Sequence, residues 1–451
     1  MEVFHGYTGQ MASKLRSLGA APGDTIEILL RDGTRISGVL MPRVQLSGST
    51  NILVLKLTNG YNAGFKAEEI VEIRLISKRP PRPSVTSEAL ARDGELPKVS
   101  LLATGGTIAS KVDYETGAVT PAMGIEEIIE WVPEISELAN ISFREVMRKF
   151  SEDFMPRDWG ILASEAYKDV SSGVDGVVIA HGTDTMAYSA SALAFAIRNK
   201  PVPIVFVGAQ RSSDRPSSDS ALNLISAFIV AAKAPFAESV ITMHGNISDV
   251  FSLVHRGVKA RKMHTSRRDA FQSVNDTPLA VVNPFTRDVK VIGKIVEERG
   301  RDKIPVLENK FDDKVALVKA YPGLQAEILN FLVDKGFHGI VLEGTGLGHI
   351  ANDLINVIKR AVDSGIPVVM TSQCLFGRVN LHVYSTGRRL LDAGVIPASD
   401  MLPETAYVKL SWILGNRSHD LREIARIFTS NLVGEINERH TIPLYPRWYY
   451  G

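Results

Sequence analysis

Thr183 and Asp184 close the stretch Gly176–Asp184, GVVIAHGTD, in which Val177, Val178, Ile179 and Ala180 are apolar and three of the four are β-branched. Such a run reads as a fully buried strand. Gly182 breaks it and brings a hydroxyl and a carboxylate out at its end. In open α/β sheets, ligands sit at the carboxyl ends of strands. A second hydroxyl stands in a similar position: Val99–Ala103 reads as a strand and runs into Thr104-Gly105-Gly106-Thr107. Two glycines after a strand could cradle a phosphate. However, the chain carries no G-x-x-x-x-G-K-[ST], and no G-x-G-x-x-G follows this strand. The alternative is the Thr107 hydroxyl at a glycine turn with backbone N–H groups beside it, which is what a nucleophile needs next to an oxyanion hole. Lys262 is a candidate for the base such a hydroxyl needs. A lysine in a basic run is usually a solvated surface charge, but a desolvated one can take a hydroxyl proton, and a carboxylate can orient it. Thr, Lys and Asp are a sensible set, although spacing alone does not bring the three together.

The elements around these residues alternate between strand and helix. After GVVIAHGTD comes Thr185–Ile197, rich in Ala and fit for a helix. Ser142–Met147 reads as a strand leading into Phe150-Ser151-Glu152-Asp153. Ile204–Val207 ends in Gly208-Ala209-Gln210-Arg211, and Val240–Met243 ends in His244-Gly245-Asn246. Ile125, Ile128, Ile129 and Val132 recur at helical spacing, closed by Pro133. Apolar runs that each end in small or polar residues predict a parallel sheet with helices on both faces. Charges gather over 298–314, which predicts a connector. Beyond it Val315–Lys319, Leu324–Lys335, Gly339–Leu342, Asp353–Ser364 and Pro367–Met370 repeat the alternation, and helices dominate from Thr405. This predicts a second, smaller α/β domain over 315–451, after a first over 98–297.

Residues 1–77 have a different texture. A helix around Met11–Leu18 is followed by five short strands with turn signals at Asp32-Gly33 and Asn59-Gly60. They predict a small β-barrel of the SH3 or Sm type. Its acids and bases are nearly balanced. A docking or positioning module therefore fits better than a nucleic-acid surface, which normally shows a basic excess. Residues 78–97, with their prolines and charges, read as a linker.

Composition narrows the function class. The 451 residues are 45% hydrophobic and 22% charged with a net charge of +1, ordinary for a globular protein and not for a uniformly basic one. With Cys374 as the sole cysteine no intrachain disulfide can form, which fits a reducing compartment. The first residues lack the apolar core of a signal peptide, and no run of eighteen apolar residues occurs. A cytoplasmic protein is expected.

Four ordered motifs then carry a resemblance: TGGTIAS at 104–110, HGTDT at 181–185, GAQR at 208–211 and the run around Lys262. From residue 98 onward the chain resembles the bacterial-type L-asparaginase family. Plain asparaginases lack the barrel; GDTIEILLRDGTRISGVLMPR and LTNGYNAGF resemble the branch of that family formed by the D subunits of archaeal glutamyl-tRNA(Gln) amidotransferases.

The resemblance implies a two-domain asparaginase-like body and a set of roles. Thr107 matches the primary nucleophile, Thr183 and Asp184 the second threonine and the aspartate, and Lys262 the lysine of the Thr–Lys–Asp triad. Ser151 and Glu152 match the substrate-binding pair, where asparaginases commonly have Ser-Gln. Ser151 would hold the α-carboxylate, and Glu152 with Asp184 the α-amino group. Tyr114 matches the tyrosine of the loop that closes over the site. Gly346-Leu347-Gly348-His349 departs from the asparagines many relatives carry there.

The implied reaction is release of ammonia from glutamine through an acyl-enzyme, for conversion of Glu-tRNA(Gln) to Gln-tRNA(Gln). No metal or cofactor is implied in this chain; ATP and magnesium would be used by a partner, the E subunit of the amidotransferase, in a heterotetramer of two D and two E subunits. A homodimer, and contact with tRNA(Gln) mainly through the partner, are implied with it. The alternative is a free-standing L-asparaginase using the same site. A scaffold protein with an inert α/β body is disfavoured by the complete Thr107, Thr183, Asp184 and Lys262 set.

Other reactive residue types have plainer readings. His181 reads as structural, satisfied by a hydrogen bond near the sheet. His244, His255 and His264 match no standard metal-ligand spacing. Arg211, Asp214 and Arg215 form either a loop braced by its own ion pairs or a group near the site. Met155–Trp159 reads as a helix start with Asp158 in its first turn, and Cys374, among apolar neighbours, as a packing residue.

Overall fold

A computed structural model of the chain describes residues 3–4, 7–41, 52–57, 62–78, 96–105, 110–112, 119–121, 128, 132–211, 218–440 and 444–445. Near its start, the helix Gly9–Ser17 precedes a five-stranded antiparallel sheet in the order Asn62–Lys66, Ile52–Leu57, Arg35–Leu40, Thr25–Leu30, Ile70–Ser77. The alternating burial of Thr25–Leu30 and Ile52–Leu57 puts Ile26, Ile28, Leu53 and Leu55 into one core with Met11 and Leu15. The hairpin expected at Asp32-Gly33 is present. Gly33 takes φ +86°, and the Asp32 carboxylate accepts from the Thr34 N–H at 2.9 Å. Buried Tyr7 donates to the Met41 carbonyl at 2.6 Å and accepts from the Val54 N–H at 3.2 Å, so the entering chain is tied to two strands. The turn expected at Asn59-Gly60 lies outside the described residues.

The first α/β domain is built on an eight-stranded sheet in the order Asn140–Glu145, Lys98–Ala103, Gly176–Ala180, Ile204–Val207, Ser239–His244, Ser252–Arg256, Ala280–Asn283, Asp288–Val291. The first five strands are parallel, as the alternation predicts. The last three are antiparallel, so the sheet is mixed rather than parallel throughout. The reason is connection length: residues 245–251 are too few to cross back over the sheet, and a parallel return needs a dozen or more. Helices Pro156–Ser171 and Met186–Ala196 cover one face and Ser220–Lys233 covers the other. Met186–Ala196 is almost entirely buried, which explains why its sequence is apolar on all sides. The helix expected to end at Pro133 falls largely outside the described residues; Ile128 and Val132 are buried in the core, and Pro133–Glu137 forms a 3-10 turn.

Residues 298–314 are stitched to both neighbours. Val306–Leu307 pairs with Ile197–Arg198, and the Trp412 indole donates to the Glu308 carbonyl at 3.1 Å. The second domain has a parallel sheet in the order Val315–Lys319, Gly339–Gly344, Val368–Ser372, Ile396–Pro397. Helices Ala326–Asp334, Ile355–Asp363 and Ser385–Asp392 follow the strands, and Pro403–Asn416 and Leu421–Phe428 close the fold. One apolar cluster spans both domains: Trp159, Phe195 and Val258 from the first meet Val341, Val369, Ala406 and Trp412 from the second. Among the described residues, no helix is long and apolar enough to cross a membrane.

Candidate active site

The carboxyl ends of the parallel strands meet at one edge of the first domain. Ala103 is in register with Ala180, and both the N–H and the hydroxyl of Thr104 donate to the Ala180 carbonyl, at 3.0 and 2.9 Å. The Lys149 N–H donates to the Thr104 carbonyl at 3.1 Å. Gly105 takes φ +102°, and a Cβ there would strike the Lys149 backbone, so glycine is needed both for conformation and for close approach. Gly182 is packed as tightly: a Cβ on it would lie 2.8 Å from Ser151 Cβ and 2.9 Å from Ser151 Oγ. The Thr185 hydroxyl donates to the Ser151 carbonyl at 2.6 Å. The HGTD turn and the Ser151-Glu152 turn therefore touch directly. Ser151 is buried, and Glu152, next to it on a 3-10 turn, is exposed.

Lys262 comes from further along the chain. The hairpin Ala260–Lys262 with Phe271–Ser273 sets its position, Lys262 facing Phe271 in register. Its ammonium lies 2.8 Å from Thr183 Oγ1 and 2.7 Å from Asp184 Oδ1. Thr183 is 7% exposed and the Lys262 side chain 14%, whereas the Asp184 side chain is 65% exposed. The hydroxyl and the amine are thus shielded while the carboxylate faces outward. A protonated lysine donates to both oxygens here; once it gives up a proton, its lone pair is placed to accept one from the threonine. Of the residues expected at the site, Thr183, Asp184, Lys262 and Ser151 are brought together, with Glu152 beside them. Thr107 and Tyr114 lie outside the described residues, as do Asp214 and Arg215.

The structure adds polar contacts that support these turns. Asp219, fully buried, accepts from the Gln210 and Arg211 N–H groups and from the Asn223 amide at 3.0–3.1 Å, fixing the turn after Ile204–Val207. Asp158 does sit in the first turn of its helix, where it accepts from the Met155 N–H at 2.7 Å; it also pairs with Lys149 at 2.8 Å, bracing the loop that carries Ser151. His244 contacts Asn223 at 2.6 Å and Asp249 at 3.1 Å, and Arg268 joins Asp249 at 2.6 Å. Thr185, as part of the HGTDT run, and Asp158, at a helix start, had visible signals. The others are single polar residues whose partners follow no fixed spacing.

His181 is fully buried between the Gly182 carbonyl at 2.7 Å and the Ser189 hydroxyl at 2.9 Å, a structural histidine as expected. Burial pushes its pKa down to about 4, so it is neutral at pH 7. Cys374, by contrast, is exposed rather than packed. The strand Val368–Ser372 ends before it, and its N–H is held by the Ser372 hydroxyl in a surface turn. Gly346 and Gly348 take φ +53° and +100° in a tight turn closed by a Thr345–His349 bridge, and His349 packs on Tyr384 at 5.2 Å. Among the described residues, no group of three or more His, Cys, Asp or Glu side chains is arranged to hold a metal ion.

Comparison with known proteins identifies the family. Residues 98–296 match the family described as Asparaginase, N-terminal, residues 314–428 the Glutaminase/Asparaginase C-terminal domain, and residues 20–76 the GatD N-terminal domain. The chain is 52% identical to the D subunit of glutamyl-tRNA(Gln) amidotransferase from Thermofilum pendens, over 98% of this chain and 99% of that one. It is 53% identical to the D subunit of the enzyme of the same name from Pyrococcus furiosus, over 94% and 96%. Among solved structures it resembles the thermostable L-asparaginase from Thermococcus kodakarensis, with a TM-score of 0.68 and 35% identity over 76% of this chain and all (100%) of that one. L-asparaginase I from Vibrio cholerae gives a TM-score of 0.65 and 29% identity over 76% and 99%. A likeness that runs through the N-terminal barrel as well as the asparaginase-like body settles the branch: the chain belongs to the family of glutamyl-tRNA(Gln) amidotransferase D subunits.

Proposed function

We propose that this protein hydrolyses the side-chain amide of glutamine and delivers the ammonia to a partner that converts Glu-tRNA(Gln) to Gln-tRNA(Gln). The observation that supports the chemistry is the contact of Lys262 with both Thr183 and Asp184 at 2.8 and 2.7 Å. A threonine oxygen bonds to the amide carbon, the C–N bond breaks, and the nitrogen leaves as ammonia carrying the proton that the hydroxyl gave up. Water then cleaves the ester to glutamate. Thr107 is assigned the attack on the amide. Thr183 is the second hydroxyl, activated by Lys262, with Asp184 orienting the lysine. Ser151 holds the substrate α-carboxylate, Glu152 and Asp184 hold its α-amino group, and Tyr114 belongs to the loop that closes over it. This protein uses no cofactor of its own; ATP and magnesium serve the partner, the E subunit, in an assembly of two D and two E subunits. The partner also carries most of the contact with tRNA(Gln). Within that assembly the D subunits form a homodimer, and the complex is cytoplasmic. The domain limits we assign are 1–77, 78–97, 98–297, 298–314 and 315–451.

The test is ammonia release from glutamine and from asparagine by the full chain, with and without the E subunit and charged tRNA. Glutamine hydrolysis that rises when partner and tRNA are added is expected. High activity on asparagine alone, indifferent to the partner, would establish the free-standing asparaginase reading instead.

A further inference from the structure

The strand that presents Lys262 to the site is held from the other side by the second α/β domain. Lys259 and Asp400 form an ion pair at 2.7 Å with both side chains fully buried. Asp400 also accepts from the Asn437 N–H at 3.0 Å and its side-chain amide at 2.9 Å, while its own carbonyl accepts from the Asn275 amide at 3.1 Å. Asn275 in turn exchanges hydrogen bonds with Gly377, at 3.1 and 2.9 Å. Two residues after Lys259, Arg261 pairs with Glu404 at 3.2 Å. Asp400 precedes the helix Pro403–Asn416, and Glu404 lies in its first turn. Alternation along the strand explains the division: Lys262 turns toward Thr183 and Asp184, and Arg261 turns toward the second domain.

Resting on the catalytic reading above, we propose that Asp400 and Glu404 are positioning residues for Lys262: the second domain sets both where its amine sits and the charge behind it. Asp400 fixes the strand through Lys259. Glu404 neutralises Arg261, whose guanidinium would otherwise act as an uncompensated positive charge beside the lysine. The titratable and charged groups around this pair are Asp184 and Tyr188 from the HGTD turn and its helix, Glu404 and Tyr407 from the helix Pro403–Asn416, Glu343 at the end of Gly339–Gly344, and Lys319 beyond it. Burial raises both the Tyr188 phenol and the Glu343 carboxyl. Both lie near Arg261, and Glu404 is its ion-pair partner at contact distance.

The charge effect has a sign that mere support of the fold does not share. Lys262 must be neutral to act as a base, so the acid limb of kcat/KM follows loss of its proton. Glu404→Gln leaves Arg261 unbalanced and disfavours a positive charge on the neighbouring amine, so the acid limb moves to lower pH. Arg261→Gln leaves Glu404 unbalanced and moves the limb the other way. The double variant returns it toward its original position. Asp400→Asn, which keeps the shape but removes the charge holding Lys259, lowers kcat by about tenfold through misplacement of the amine, with KM changed by less than about twofold.

The measurement is ammonia release from glutamine against pH by the full chain with the E subunit, for these four variants and the unaltered protein. Opposite shifts for Glu404→Gln and Arg261→Gln, cancelled in the double variant, are expected. Coincident profiles for all variants that fold, in a complex that hydrolyses glutamine, would overturn the proposal and leave the catalytic reading intact. Full activity of Lys262→Ala would instead remove the catalytic reading on which it rests.

Discussion

The ammonium of Lys262 lies 2.8 Å from the hydroxyl oxygen of Thr183, although 79 positions separate them in the chain. The parallel sheet brings Thr183 to its carboxyl edge, and a separate hairpin reaches over to meet it. With Asp184 Oδ1 at 2.7 Å, one amine serves a hydroxyl and a carboxylate at once.

That geometry makes Lys262→Met a sharp test. Loss of a general base lowers turnover by about 10² to 10⁴. Methionine keeps most of the stem volume, and the position is only part-buried, so the melting temperature should move little. Thr183→Val should remove activity similarly while preserving shape. Paired assays of ammonia release and thermal unfolding check both. A variant that retains more than about a tenth of the activity would take Lys262 out of the base role.

Gly182 and Ser151 give a prediction about binding rather than chemistry. A methyl on Gly182 would sit 2.8 Å from Ser151 Cβ, closer than carbon atoms pack. Gly182→Ala must push apart the two turns that carry Thr183 and Ser151. Because Ser151 is assigned to the substrate α-carboxylate, KM for glutamine should rise by about tenfold or more, about 1.4 kcal/mol of lost binding. Steady-state kinetics on glutamine would show it; an unchanged KM would place the α-carboxylate elsewhere.

Much of this site is legible in the sequence because its chemistry is concentrated at strand ends, where glycine and polar residues interrupt apolar runs. TGGT, HGTD and the Ser151-Glu152 turn are local signals of that kind. What stays hidden depends on which polar residues meet across a loop or between domains: Asp219 holding two N–H groups, Lys149 meeting Asp158, Arg261 meeting Glu404. None has a spacing rule. The same distinction explains the sheet. The central parallel strands Gly176–Ala180 and Ile204–Val207 announce themselves as uninterrupted apolar runs, while Ser252–Arg256 carries Ser, His and Arg among its five residues and turns back after a short loop. Cys374 shows the complementary failure: apolar neighbours in sequence did not keep it buried once the strand ended at Ser372.

The buried pair of Lys259 and Asp400 predicts an asymmetry in stability. Asp400→Ala leaves a fully buried ammonium without its ion-pair partner and strands the Asn437 amide donors. The cost should be about 3–5 kcal/mol. Replacing both partners together, Lys259→Met with Asp400→Leu, removes the charge problem and should recover most of that loss. Denaturant unfolding of the single and double variants checks it. Equal destabilisation by both would mean that the Asn437 and Asn275 contacts, rather than the charge, hold the domains together.

Two buried histidines predict an acid-sensitive fold. Burial pushes the pKa of both His181 and His255 down to about 4, while the same side chains in the unfolded chain titrate near the ordinary 6.5. Between those values the unfolded state binds protons that the folded state refuses, so stability falls as pH drops from about 6.5 to about 4. Each group contributes on the order of 3 kcal/mol across that window, fully present above pH 6.5 and gone below about 4. The upper part of the window lies above the range where ordinary carboxylates titrate, so the histidines dominate there. His255 is the better probe, because its Nε2 has no hydrogen-bond partner among the described residues and it lies outside the Thr183–Asp184–Lys262 contact. His255→Leu should flatten the fall of melting temperature between pH 6.5 and 5 while leaving glutamine hydrolysis in place. An unchanged slope would show that His255 takes up its proton in the folded state as readily as in the unfolded one.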